Sequence, residues 1–476
     1  MLQEHHLNPH LLTAEYAVRG PIVQRAQELE AGGRRVIYCN IGNPQALKQR
    51  PLSFIRQVLS LVEYPELLNN PTVTSRIPAD LVQRAQKILR LHPPGTGAYS
   101  QSPGLPFVRQ AVATFIETRD GIPAFADHVI LTDGASKGAQ AVLLALQTAP
   151  TDGFLIPVPQ YPLYSATVRL NGGRQIGYFL DERNGWELNE TELTSCIERA
   201  RADGTRPAGI VVINPGNPTG AVLSRENIAM VIGFARRHGL AIIADEVYQE
   251  NVYAPGARYI SFARVMHELG EQDVTLFTLH SISKGFLGEC GHRGGYLELR
   301  NVPQEVLAQF VKLQSISLCA NLVGQIATYL MVAPPKPGDE SFAVYDAERR
   351  AVLTSLKRKA EILHEGINRI DGMSVDLPQG AMYAFVRFRL PEVRDGAADV
   401  LGPAERRARD ERRDEDYCLA LLEETGICVV PGSGFGQEPG TLHFRTTFLP
   451  PQDEIEEFVE RLKQFHEQYV KALEEA

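Results

Sequence analysis

The chain has 476 residues, 44% hydrophobic and 22% charged, with a formal net charge of −9. That length corresponds to roughly two to four domains at about 150 residues each, and the composition is that of an ordinary globular protein. The acidic balance excludes a global basic footprint for nucleic acid, and the longest apolar runs, such as "AVLLAL" at 141–146, are too short to span a bilayer.

The N-terminus, "MLQEHHLNPHLLTAEYAVRG", lacks the basic stretch and apolar run of a secretory signal and is poor in Arg and Ser. The C-terminal "LEEA" carries no peroxisomal address. His5, His6 and His10 read as a mobile terminus rather than a metal site, and no other His/Cys spacing suggests metal. The six cysteines (Cys39, Cys196, Cys290, Cys319, Cys418 and Cys428) form no C-x-x-C pair. Reduced thiols in a cytoplasmic protein are expected.

The first probable strand, "HVILT" (128–132), runs into "TDGASKGAQ" (132–140) and a helical pattern over 136–148. A turn of this kind exposes free N–H groups at a helix start, which suits an anion. Many strand–helix turns contain Gly and Ser, and the spacing matches neither a P-loop nor G-x-G-x-x-G. Next come a strand at 153–158, a helix at 191–202 and the strand "GIVVIN" (209–214). "NPGNPTG" (214–220) closes that strand, either as a plain turn or to set Asn217 at the sheet's carboxyl edge, where ligands of open α/β sheets bind. A helix follows at 225–239, with Ser224 as N-cap and Gly239 as terminator. "LAIIAD" (240–245) then leads into "ADEVY" (244–248). An acid at the end of a buried strand is costly unless paired or functional, which singles out Asp245. Glu246 has a structural reading, and Tyr248 a place facing the same crevice.

After the strand "VTLFTL" (274–279) comes "HSISKGFLGECGHRGG" (280–295), then the strand "GGYLEL" (294–299). Lys284 reads either as a buried functional amine or as a surface cation. Ser281, Ser283, the glycines and Arg293 together suit a phosphate dianion. Lys137 reads either as a rival Schiff-base lysine or as a basic residue at the mouth of a phosphate pocket or on a helix surface, the second being the expectation. Strand–helix alternation over this region implies a mostly parallel sheet with helices on both faces.

"PPKPGDE" (334–340) breaks the pattern. A helix over about 341–370, strands at 383–388, 427–430 and 441–445, and a final helix over about 451–474 read as a smaller α+β domain. Arg445 ends "HFR", and an arginine fork suits a carboxylate. Residues 391–416 are dense in both charge signs and read as a solvated loop and helix face. The expected division is an arm with part of the small domain (1–75), a large domain (76–335) and a small C-terminal domain (336–476).

"PVPQYPLYSAT" (157–167), "VVINPGNPTG" (211–220), "IADEVYQENVY" (243–253), "SISKGFLGECGHRGGY" (281–296) and "LLEETGICVVPGSGFGQ" (421–437) together resemble the pyridoxal-phosphate-dependent aminotransferases, most nearly the alanine aminotransferases. The resemblance covers roughly residues 8–470. It implies the aspartate-aminotransferase-like fold and ping-pong transfer of an amino group from L-alanine to 2-oxoglutarate, giving pyruvate and L-glutamate. A sibling glutamate–glyoxylate transaminase, or a lyase on the same fold, is the alternative. The resemblance further implies that Lys284 is the Schiff-base lysine of pyridoxal 5'-phosphate and Asp245 the partner of its ring nitrogen. Asn217 and Tyr248 resemble contacts of the ring oxygen, and Tyr161 the stacking aromatic. Ala135, Ser136, Ser281, Ser283 and Arg293 resemble a phosphate cup. Arg445, with Gly42 and Asn217, resembles the substrate carboxylate site. Tyr99 resembles a tyrosine that reaches the neighbouring subunit of a homodimer. Lys137 departs from the pattern, since alanine aminotransferases often carry an acid there; Phe286 and His292 replace aromatic neighbours.

Overall fold

The computed structural model describes residues 2–16, 20–391 and 412–475. Residues 392–411, most of the charged segment expected to be a solvated face, lie outside the described residues. Strand β1 (Ile37–Tyr38) precedes the main sheet. That sheet contains β2 (Val129–Thr132), β3 (Asp152–Val158), β4 (Arg174–Phe179), β5 (Arg206–Ile213), β6 (Ala241–Asp245), β7 (Leu276–Ser281) and β8 (Gly295–Arg300). Their spatial order is β2-β8-β7-β6-β5-β3-β4. The strands from β4 to β7 pair in parallel, and β8 runs antiparallel to both β7 and β2. Nearly continuous apolar runs such as "GIVVI" make sense here, because both sheet faces are covered.

Helices Ala135–Leu146, Leu163–Leu170 and Gln304–Ile316 pack one face, through Val142, Leu143, Val168 and Phe310 against Ile243, Phe277 and Leu297. Helices Glu190–Ala202, Arg225–His238 and Phe262–Glu268 pack the other against Val212, Ile242 and Ala244. Local signals place the helix ends. The Ser224 Oγ accepts from the Asn227 N–H at 3.1 Å, and Gly239 ends that helix at φ 68°. β4 has no counterpart among the sequence expectations. Its "RQIGYF" is polar and alternately buried, as befits an edge strand.

β9 (Met373–Ser374) and β10 (Tyr383–Phe388) begin the second sheet. The expected strand 427–430 is two strands: β11 (Ile427–Cys428) pairs in parallel with β1, while β12 (Val430–Pro431) joins the second sheet. Only the distant β1 can show where that change occurs. β13 (Leu442–Thr447) completes an antiparallel order of β12-β13-β10-β9. Helices Phe342–Ile367, Arg413–Thr425 and Gln452–Glu475 cover it through Leu363, Tyr417, Phe458 and Phe465. A further core joins helices Ser53–Glu63, Ala79–Leu91, Pro106–Asp120 and Leu322–Val332, and so runs across residue 75. No described helix is long and apolar enough to cross a membrane. All six cysteines are free.

Helix Leu322–Val332 also shapes the turn before β8. A Cβ on Gly324 would strike the carbonyl oxygens of Arg293 and His292, and one on Gly294 would strike the Gly324 carbonyl. The two backbones approach this closely only because both residues are glycine. Gly324→Ala is expected to destabilise the protein by about 1–3 kcal/mol through overpacking, read as a lowered urea midpoint with unchanged slope.

Candidate active site

A cavity of about 420 Å³ opens at the carboxyl ends of β5, β6 and β7, beneath β10 and β13. Small-molecule sites span roughly 300–1,000 Å³. Chain direction explains what lines it. Parallel strands deliver their carboxyl ends to one edge, so Asn217 follows β5, Asp245 ends β6, and Ser281 ends β7. Ser283 and Lys284 occupy the turn after β7, and Ala135 and Ser136 open the helix after β2. Tyr161, Tyr248, Arg293, Gly42 and Arg445 complete the residues anticipated from sequence. Tyr99 lies outside the cavity and is 74% exposed. Lys137 is exposed and also outside it, which removes it as a rival to Lys284.

Strand alternation separates neighbours in sequence. Asp245 faces the cavity, while Glu246, fully buried, turns to the reverse face and accepts from the Phe262 N–H at 2.9 Å. Burial raises the Asp245 carboxyl above its ordinary value. The Tyr164 hydroxyl, donating to Oδ2 at 2.7 Å, the Val247 N–H and the Lys284 charge pull the other way.

Lys284 is half-buried, and its Nζ donates to the Gly42 carbonyl at 2.7 Å. A side chain at Gly42 would overlap the Tyr383 hydroxyl and come within 3.0 Å of that Nζ. Arg445 is 1% exposed in the middle of the small sheet, paired with Phe385 and Val430. Its guanidinium lies 4.2 Å from the Tyr383 ring and 4.5 Å from the Phe435 ring. It donates to Asn217 Oδ1 at 3.2 Å and to the Asn40 carbonyl, leaving Nε without a partner. Burial pushes the Tyr383 hydroxyl up, but the Lys284 and Arg445 charges outweigh it and leave the hydroxyl below its ordinary value. Burial and Tyr383 together push the Tyr248 hydroxyl up.

The third cation, Arg293, sits at φ 49°. It donates to the Asp133 and Cys290 carbonyls at 2.9 and 3.0 Å, and to Ser283 Oγ at 3.5 Å. Ser281 and Ser283 hydroxyls lie 2.9 Å apart beside it. The helix from Ala135 starts from Gly134, without a side-chain cap, so its first N–H groups remain open to a ligand. Lys284, Arg293 and Arg445 make no salt bridge to a carboxylate among the described residues, and Asp245 is the single acid of the wall. Such a cavity favours anions.

Sequence reasoning missed Tyr16, Asn40, Tyr164 and Tyr383. Tyr164 lies three residues after Tyr161 in "QYPLY", a spacing that does signal one side of a turn. Tyr383 opens a strand and carries no local signal.

Residues 68–462 match the sequence profile of aminotransferase class I and II. The chain belongs to this family and is a transaminase. It is 45% identical over 98% of its length to alanine aminotransferase 1, mitochondrial, of Arabidopsis thaliana, covering 86% of that protein. It is 44% identical over 98% of its length to glutamate–glyoxylate aminotransferase 1 of the same plant, covering 95% of it. The solved structure of an alanine aminotransferase from Pyrococcus furiosus superposes with a TM-score of 0.77 at 26% identity, over 97% of this chain and all of the other.

The family's cofactor is pyridoxal 5'-phosphate. The residues fit it. An amine, a buried carboxylate, an uncapped helix start with Arg293 and two hydroxyls, and the Arg445 guanidinium line one cavity of suitable size.

Glu246 supplies a pH test of the face assignment. Burial raises its carboxyl from 4.5 to about 7, against the pull of Arg119. Between those values the folded chain holds a proton that the unfolded chain has lost, so stability falls as pH rises through that window. Glu246→Gln is expected to flatten that decline by on the order of 3 kcal/mol in urea unfolding across the same pH range.

Proposed function

We propose that this transaminase moves the amino group of L-alanine to 2-oxoglutarate, giving pyruvate and L-glutamate. The observation that carries it is one cavity joining Lys284, Asp245 and a buried Arg445, in a chain 45% identical to a named alanine aminotransferase. The relative named for glutamate and glyoxylate supports a second reading. A panel of amino donors against pyruvate, 2-oxoglutarate and glyoxylate tests the choice: alanine with 2-oxoglutarate is expected to be the fastest pair. Fastest turnover with glutamate and glyoxylate overturns it.

The bound cofactor supplies an electron sink for the pair left when a Cα–H bond breaks. Asp245, oriented by Tyr164, holds a proton on the ring nitrogen. Asn217 and Tyr248 would hold the ring oxygen, and Tyr161 would hold the ring. Ala135, Ser136, Ser281, Ser283 and Arg293 bind the phosphate. Arg445, with Gly42 and Asn217 beside it, grips the substrate α-carboxylate and so orients the Cα–H bond. The Lys284 amine takes the Cα proton, general base work worth roughly 10²–10⁴-fold.

The exposed Tyr99 supports a homodimer in which it reaches the partner's site. The free cysteines support a reducing compartment, assigned as the cytoplasm. Cell fractionation tests that, since several relatives are named mitochondrial. The units are a large one centred on 76–335 and joined by the helix from Ser53, a small one over 336–476 joined by β1, and an N-terminal arm.

Lys284→Ala is expected to abolish transamination and the visible absorbance of lysine-bound cofactor; absorbance that survives refutes the assignment. Arg445→Ala should raise KM for alanine and 2-oxoglutarate alike, by roughly 10- to 100-fold, as loss of a hydrogen-bonded charge predicts.

A further inference from the structure

Under the reading just proposed, one cavity must accept two unlike side chains, the methyl of alanine and the propanoate of glutamate. The cationic groups of its wall are committed. Arg293 belongs to the phosphate seat, Lys284 to the amine chemistry and Arg445 to the α-carboxylate. No other Lys, Arg or His lines the cavity among the described residues. A second buried guanidinium would also be a poor solution, because it would stand unpaired whenever alanine is bound.

The wall contains a neutral alternative. Tyr16 reaches the cavity from the N-terminal segment. Its hydroxyl lies 2.7 Å from the Tyr161 hydroxyl, and the two rings meet edge to face with centroids 6.2 Å apart. The segment behind it is anchored. Arg169 Nε donates to Thr13 Oγ1 at 2.8 Å, and the His10 ring rests over Gly172. Tyr16 and Arg445 line the same cavity from different parts of the chain, the N-terminal segment and β13. Tyr16 is 39% exposed, so a charged group beside it keeps part of its hydration.

Two phenols hold two protons, and their mutual hydrogen bond uses one. With a methyl in the site, one proton joins the pair, the exposed side of Tyr16 leaves the other to water, and no buried charge remains. With a carboxylate in the site, the second proton is available for a charge-assisted bond. We infer that the Tyr16 hydroxyl, paired with Tyr161, binds the distal carboxylate of the five-carbon substrates and sets the preference between three-carbon and five-carbon partners. Tyr161 would also hold the cofactor ring under that reading, so Tyr16 is the residue that can be changed alone.

The test is Tyr16→Phe in the holoenzyme, which keeps the ring and removes one oxygen. The ratio of kcat/KM for alanine to that for glutamate is expected to rise about 10-fold or more, as loss of a hydrogen bond to a charged group predicts. Calorimetric affinity for glutarate, a five-carbon dicarboxylate without an amino group, should weaken by a similar factor. Arg445→Lys, which acts on the carboxylate common to all the substrates, should leave the ratio within about twofold of the parent. A Tyr16→Phe ratio and glutarate affinity both within about twofold of the parent overturn the inference and move the distal carboxylate to another group, such as one from the partner subunit. A parent enzyme that does not turn over alanine refutes the substrate reading instead, while glutarate binding still reports on the hydroxyl pair.

Discussion

The parallel register of β5, β6 and β7 is the constraint on which the site depends. Ile213 pairs with Asp245, and Asp245 with Leu279, so three strands finish at one edge and three loops begin there. Both faces of these strands are buried, which penalises any slip. A one-residue shift in β6 would exchange Asp245 for Glu246 in the cavity. The carboxylate that meets the cavity is therefore chosen by packing on the reverse face as much as by its own surroundings.

The reverse face shows the cost of putting polar groups there. Glu246, His280, Tyr296 and Glu298 are buried behind the site, and each has a side-chain atom without a partner. The chain limits charge in this space by titration. Burial raises the Glu246 carboxyl to about 7 and lowers the His280 imidazole to about 3. Neutral forms are what a low-dielectric interior tolerates.

On the cavity side the opposite policy holds, and charge is kept. Arg445 is buried between two aromatic rings, which offer their negative faces to its cation. Its two terminal nitrogens donate to Asn217 and the Asn40 carbonyl, so the small sheet and the loop after β5 are tied through a single side chain. The same cation, with Lys284, makes Tyr383 the more acidic hydroxyl of the Tyr248–Tyr383 pair, whose oxygens lie 3.4 Å apart. Gly42 is small because Lys284 and Tyr383 both need the space beside it. Guanidinium, amine and hydroxyl pair are thus one coupled arrangement.

Much of this was legible in the sequence. Apolar runs ending in Gly, Pro, Asn or Asp marked six strands of the main sheet, since buried parallel strands must be apolar and must stop at turn residues. The segments around Asn217, Asp245 and Lys284 stood out because polar groups at the ends of such runs are expensive without a task. What local pattern cannot carry is contact between distant segments. Period-two alternation shows that Asp245 and Glu246 face opposite ways, but only the pairing of β6 with its neighbours decides which one meets the cavity. The split of residues 427–431 between two sheets depends on β1. Tyr164, Tyr383 and Tyr16 matter through partners 81, 135 and 145 residues away in the chain. The sequence by itself determined the strands, the turns and the reactive residue types. The tertiary structure alone decided which of them share one cavity, because register and packing are properties of segments brought together and not of any one segment.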